Sequence, residues 1–262
     1  MTTSPPKAAN LYDYPRYYDL VFGSDWKAEY DFLRQVLDCY VAGRVKTVFE
    51  PACGTGRLLF RLAQAGYRVS GLDLNPRAVD YCNRRLVRQG HKATVFFGDM
   101  ADFTLPRPVD AAFNMINSFR HLLSERQAQA HLECMVRALR PGGVYCLGLH
   151  LTPTAGTPLT EESWSARRGH LAINTHLATH DLNLVQRTER CTMRMWVHTP
   201  TRRFEIVDEL VFRTYTKAQF LRLLARVPEF EIAAMYDFTY DLQCPIRLQA
   251  NTQDVVLVLR RR

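Results

Sequence analysis

The sequence predicts an α/β fold: a mostly parallel sheet with helices on both faces, plus an antiparallel β insertion after the fifth strand. Three observations carry that reading. A short apolar run, TVFE (47–50), passes through a glycine turn directly into helical periodicity, which is the junction of an α/β unit. Strand and helix patterns then alternate through short connections as far as His150, which implies right-handed crossovers between parallel strands. Beyond His150 the alternation stops, and β-rich stretches follow one another without a crossover helix.

The elements follow in order. The first ten residues, with Pro5-Pro6 among small polar neighbours, are expected to be disordered. LYDYPRYYDLVF (11–22) packs five aromatics into twelve residues, too apolar for a loose tail. From Trp26 to Val41, apolar residues recur at spacings of three and four, the mark of an amphipathic helix. The strand at 47–50 leads to a helix from about Arg57 to Ala65. Gly66 ends it, and YRVSGLDL (67–74) is the second strand. Pro76 opens a helix through Val87, since proline suits a first helical turn. ATVFFGDM (93–100) and VDAAFNM (109–115) are the third and fourth strands. Gln127 to Leu139 is a helix, Pro141-Gly142-Gly143 a turn, and VYCLGLH (144–150) the fifth strand. RCTMRMWVH (190–198) and FEIVDELVF (204–212) form a hairpin across TPTRR. A helix over Lys217 to Val227 and strands at 231–238 and 254–261 close the chain. An insertion at the carboxyl end of a parallel strand lies over the ligand crevice, so the segment after His150 should cover the site.

Composition narrows the function. The 262 residues suffice for one large domain, and no apolar run reaches the ~18 residues of a membrane span. MTTSPPKAAN lacks a charged-then-apolar leader pattern, so a cytoplasmic location is expected. The seven cysteines never pair as CxxC, which suits neither zinc nor a disulfide framework. No metal site is expected. A net charge of +8 can attract anions, but the arginines are dispersed and nucleic acid is the lesser reading.

The chemistry concentrates at strand ends. EPACGTGR (50–57) joins a strand to a helix, and small residues Ala52, Gly54 and Gly56 let backbone N–H groups approach a ligand. Glu50 decides which ligand. A carboxylate would repel the pyrophosphate of a dinucleotide. It suits S-adenosylmethionine (SAM), which has no phosphate and carries an ammonium and a sulfonium. Asp73, 23 residues on, can accept from both ribose hydroxyls, although a strand-end Asp can equally cap the next helix. In GDM (98–100), Asp99 can accept from an adenine amino group, with Met100 against the ring; the competing reading is a turn with an Asx bond. After the fourth strand, Asn114, Asn117, Ser118 and His121 should face the crevice. A GxGxxG fingerprint is missing, because position 59 is Leu, which counts against a nicotinamide dehydrogenase.

EPACGTG, GLDLN, GDM and LRPGG (139–143), in this order and spacing, resemble the consecutive motifs of class I SAM-dependent methyltransferases over about residues 45–150. YYDLVF, ACGTG, GDMADF and LRPGG more narrowly resemble the small-molecule branch that includes sugar amine N,N-dimethyltransferases. The resemblance implies a Rossmann-like seven-stranded sheet whose last strand is antiparallel. It implies SAM as cofactor, S-adenosylhomocysteine as product, and an N-terminal aromatic segment folding over the cofactor, with Tyr18 on the methionine carboxylate. Cys53, Leu74 and Asn114 join the cofactor set through the same motifs. Two positions depart from the pattern. Ala52 stands where many members have glycine, and Phe22 where some amine-methylating relatives have tyrosine.

The chain is therefore expected to divide into an N-terminal lid and helix (1–42), a SAM-binding core (43–150), an antiparallel cap (151–215) and the closing helix and strands of the core (216–262). The expected activity is direct in-line methyl transfer to nitrogen or oxygen of a small-molecule acceptor, with Trp164, Arg194 and Trp196 lining the cap. His121 is the candidate catalytic residue, because an imidazole pKa of about 6.5 suits proton removal near neutrality. The alternatives are an RNA or protein methyltransferase, suggested by Arg187, Arg190, Arg194, Arg202 and Arg203, or a SAM-binding protein without turnover.

Overall fold

A computed structural model describes residues 10–262; apart from Asn10, the N-terminal stretch expected to be disordered lies outside them. Five strands, β1 (Thr47–Pro51), β2 (Arg68–Asp73), β3 (Val95–Phe97), β4 (Val109–Asn114) and β5 (Leu139–His150), run parallel. With β10 (Phe230–Tyr236) and β11 (Asp254–Arg261) they form one seven-stranded sheet in the order β10-β11-β5-β4-β1-β2-β3. The last strand, β11, is antiparallel to both of its neighbours. A second, antiparallel sheet of four strands follows β5: β6 (Glu161–Arg168), β7 (Leu171–Asn183), β8 (Thr188–His198) and β9 (Arg203–Arg213).

Alternation along the central strands sends side chains to two cores. On one face Phe49, Ala112, Tyr145, Leu147 and Leu257 pack against α5 (Glu125–Ala138) and α6 (Lys217–Leu224). On the other, Val48, Ala111, Phe113, Cys146 and Val256 pack against α2 (Lys27–Tyr40), α3 (Leu59–Gln64) and α4 (Pro76–Arg88). The helices that the sequence marked most clearly carry their signals in the structure. Asn75 caps α4 by accepting from Arg77 and Ala78 N–H groups, with Pro76 in the first turn. Ser124 and Gln127 form a capping box, so α5 begins at Glu125, two residues ahead of expectation.

The turn expected at Pro141-Gly142-Gly143 is instead an irregularity within β5. Leu139 pairs with Val109 and Val144 with Ala111, so the residues between them bulge opposite Asp110. Arg140 fastens the bulge by donating from Nε to Asp110 at 2.7 Å. Among the described residues no helix is long and apolar enough to cross a membrane.

The aromatic N-terminal segment joins the two sheets. It forms a short 3-10 turn (Leu11–Asp13) and α1 (Pro15–Gly23). Leu11, Leu20 and Val21 are buried with Ile173, Met193, Met195 and Phe212 of the four-stranded sheet. The Leu11 N–H donates to Asp208 of β9 at 2.8 Å.

Candidate active site

The loop after β1 is built from residues in left-handed backbone conformation. Ala52 has φ of 51°, Gly54 of 52° and Gly56 of 66°. A side chain at such a φ costs roughly 1–2 kcal/mol, so Ala52 holds a conformation in which glycine is free of strain. Gly56 has no such freedom to vary: a Cβ there would collide with Cys82 Sγ in the helix beneath.

Two buried carboxylates hold this loop. Arg57 donates from both terminal nitrogens to Glu29 of α2, each at 2.5 Å. Asp19 of α1 accepts from Thr55 Oγ1 in the loop and Tyr81 OH in α4, both at 3.2 Å. It pairs with Arg85 at 2.5 Å and with Arg168 of β6 at 3.2 Å. Burial pushes the Asp19 carboxyl up, but the two guanidinium groups outweigh it and hold its pKa below the ordinary range. One side chain thus ties the N-terminal helix, the glycine loop, α4 and the four-stranded sheet together.

Above the loop lies a cavity of about 540 Å³ at the carboxyl edge of the parallel sheet, within the range of small-molecule sites. Its floor includes Ala52, Gly54, Leu72, Asp73, Leu74, Gly98 and Met100. Its roof is Tyr12, Tyr18 and Phe22 of the N-terminal segment with Trp164, Leu177, Met193, Leu210 and Phe212 of the four-stranded sheet. Asn117, Ser118 and His121 form one wall.

Of the residues singled out in the sequence, Tyr18, Phe22, Ala52, Gly54, Asp73, Leu74, Met100, Asn117, Ser118, His121 and Trp164 line this cavity. Asp73 does not cap the following helix. Its Oδ2 accepts from Gly54 N–H at 2.7 Å and its Oδ1 from Asn75 N–H at 2.8 Å. Glu50, Cys53, Gly56, Asp99 and Asn114 sit behind the lining. Cys53 and Gly56 are packing residues against Cys82. Asp99 accepts from Ala101 N–H at 2.8 Å, an Asx turn. Asn114 donates to the Pro51 carbonyl at 2.8 Å, while its Oδ1 and the Oε2 of Glu50 are buried without a protein partner among the described residues. Burial pushes the Glu50 carboxyl well above its usual range. Two orphaned acceptors on adjacent strands form a place that suits a cation.

His121 is placed as expected but not poised as expected. Its Nε2 shares a 2.9 Å hydrogen bond with Tyr12 OH, and its ring lies 4.9 Å from that of Phe212. Burial first, and the Arg120 charge second, push its pKa down to about 4. The imidazole is therefore neutral at neutral pH but a weak base. Tyr12 was not distinguished in the sequence from the aromatics around it.

The four-stranded sheet corrects two further expectations. Along β8, Cys191, Met193, Met195 and Val197 point inward and are buried, so the period of two sends Arg194 and Trp196 to the opposite face. There Arg194 pairs with Glu205 at 3.0 Å, and Trp196 is exposed. Trp164 alone of the three expected lining residues reaches the cavity. Among the described residues no group of three or more His, Cys, Asp or Glu side chains is placed to hold a metal ion.

Residues 48–143 match the methyltransferase domain family. The chain is 29% identical to a dTDP-3-amino-3,6-dideoxy-alpha-D-glucopyranose N,N-dimethyltransferase of Streptomyces fradiae over 186 residues, 64% of this chain and 70% of that protein. It is 26% identical to a dTDP-4-amino-2,3,4,6-tetradeoxy-D-glucose N,N-dimethyltransferase of Saccharopolyspora spinosa over 214 residues, 79% of this chain and 83% of that protein. A SAM-dependent methyltransferase structure from Clostridium acetobutylicum shares the fold, with a TM-score of 0.76 at 15% identity over 96% of this chain and 99% of the other.

Proposed function

We propose that this chain, a class I SAM-dependent methyltransferase, methylates a nitrogen or oxygen of a small polar acceptor held between its two sheets. The observation that supports this most is the roofed cavity. It joins the Asp73 and glycine-loop floor to a wall of polar groups, under a cover that a small molecule can share with the cofactor. The likeness to two amino-sugar N,N-dimethyltransferases favours an acceptor of that kind. Phe22, against Trp164 and Tyr18 in the roof, keeps both nitrogen and oxygen acceptors within the proposal.

SAM supplies a methyl group already activated by its sulfonium; the protein's task is to bind, align and exclude water. Asp73 takes the ribose hydroxyls on its remaining lone pairs, and Leu74 and Met100 provide the apolar slot for adenine. Ala52 and Gly54 bring backbone up to the ammonium end, Glu50 and Asn114 set a field that favours its charge from behind the lining, and Cys53 and Gly56 pack the loop from beneath. Tyr18, half-buried and with its hydroxyl kept protonated by its apolar surroundings, donates to the carboxylate. Asp99 turns its second oxygen to the adenine amino group. Residues 11–22 serve as the lid, pinned by Asp19 and Leu11. His121 with Tyr12 orients the acceptor through a neutral hydrogen-bonding ring.

A polymer acceptor is less well supported. Three of the five arginines that suggested one are paired: Arg187 with Glu125 at 2.7 Å, Arg190 with Asp181 at 3.8 Å, and Arg194 with Glu205 at 3.0 Å. A panel of amino sugars, amino alcohols and polyols incubated with methyl-labelled SAM tests the proposal, alongside RNA and protein substrates. Label should pass to a small molecule. Transfer only to RNA or protein would reverse the assignment.

A further inference from the structure

Two histidines border the cavity, and their surroundings differ. His121 has its Nε2 taken by Tyr12. His150 ends β5 at the carboxyl edge of the sheet and lines both the main cavity and a second chamber of about 250 Å³ that continues from it. The chambers share Asn117, His150, Glu162, Leu177 and Phe212, so His150 stands at their junction. Asp254 of β11 is its direct cross-strand partner, which brings the two side chains together. The ring's Nδ1 is hydrogen-bonded to Asp254 Oδ1. The His150 N–H donates to Asn117 Oδ1 at 2.7 Å, fixing the backbone on the other side. No protein atom among the described residues bonds to Nε2. In the neutral ring a carboxylate on Nδ1 selects the tautomer with its proton there, which puts the lone pair on Nε2 at the junction of the two chambers. Of the charged groups around the ring, Arg120 pairs with Glu189 and donates to the Arg213 carbonyl at 3.0 Å, and Glu162, which lines both chambers, makes no hydrogen bond to the ring.

We propose that His150 is the catalytic proton acceptor for the methylated atom and Asp254 its positioning residue. This rests on the methyltransferase reading of the main cavity. As the acceptor's lone pair forms the new bond to the methyl carbon, the breaking carbon–sulfur pair stays on sulfur. The proton of the acceptor N–H or O–H passes to Nε2 of His150. The imidazolium so formed is held against the Asp254 carboxylate, and the second chamber takes the part of the acceptor beyond the reacting atom. The division of labour is then clear: His121 orients and His150 takes the proton.

Histidine nitrogen NMR on the full-length protein with S-adenosylhomocysteine tests the first half, with His150 assigned by comparison with His150→Gln. The neutral ring should carry its proton on Nδ1, and Asp254→Asn should release it to a tautomer mixture. Turnover on the amino sugar, amino alcohol and polyol panel tests the second half. His150→Gln should lower kcat by about 10²–10⁴-fold, the span of a general base, with S-adenosylhomocysteine affinity unchanged. An Nε2–H tautomer in the wild type, or unchanged turnover in His150→Gln, would overturn the proposal. If the wild type methylates no panel member, it is the small-molecule reading that fails. The tautomer then decides alone, Nδ1–H sustaining the dyad and Nε2–H removing it.

Discussion

Glu29→Ala is expected to lower the unfolding free energy by about 3–5 kcal/mol, the cost of leaving one partner of a buried ion pair alone. Arg57 is locked to Glu29 by two 2.5 Å hydrogen bonds, and both side chains are buried. A guanidinium is too basic to deprotonate in a protein, and Glu29 offsets the burial that works against its charge, so Arg57 cannot shed that charge when the partner is removed. Arg57 lies in the turn between the glycine loop and α3, which begins at Leu59 rather than at Arg57, and losing its anchor should loosen Gly54 and Gly56 together. Denaturant unfolding measures the stability loss. Replacing both residues at once with apolar side chains of similar size should recover much of it, because no uncompensated charge then remains. A single variant as stable as the wild type would mean that the pair contributes nothing.

The second large effect is on affinity. Asp73→Ala is expected to weaken S-adenosylhomocysteine binding by about 1–3 kcal/mol, the penalty for leaving hydrogen-bonding groups unpaired, which is roughly 5–150-fold in Kd. Two consequences combine. The ribose hydroxyls lose their acceptor, and the Gly54 and Asn75 N–H groups lose the carboxylate that orders them. Titration calorimetry on the wild type and the variant reads the difference. Equal affinities would place the ribose elsewhere.

Much of this arrangement was legible in the sequence, and the reasons are local. The glycine loop, Asp73 and the Pro76 helix carry their structure in neighbouring residues: left-handed positions, a strand-end carboxylate, an Asn–Pro helix start. The sheet's central strands read as apolar runs because both of their faces are buried. What the sequence hid depends on contacts between distant segments. The strands β6 and β7 mix exposed polar residues with few buried ones, for they cover the site rather than fill a core. Trp196 and Arg194 attracted notice by residue type, whereas the period of two in β8 already placed Met193 inward and both of them outward. Asp19 looked like one acid in an aromatic stretch; only the fold brings Thr55, Tyr81, Arg85 and Arg168 to it. His121 was found by its position after the fourth strand, but its lowered pKa comes from burial that no local pattern reports. His150 and Asp254 are 104 residues apart, and their pairing follows from the antiparallel register of β5 and β11.

SAM is expected to lie in this cavity with its methyl group directed at the junction of the two chambers. A crystal structure of the protein with S-adenosylhomocysteine tests it most directly. The ribose hydroxyls should lie on Asp73, the adenine between Leu74 and Met100, and the sulfur facing the space bounded by His121 and His150. A ligand seated elsewhere, or one whose sulfur points away from both histidines, would contradict it.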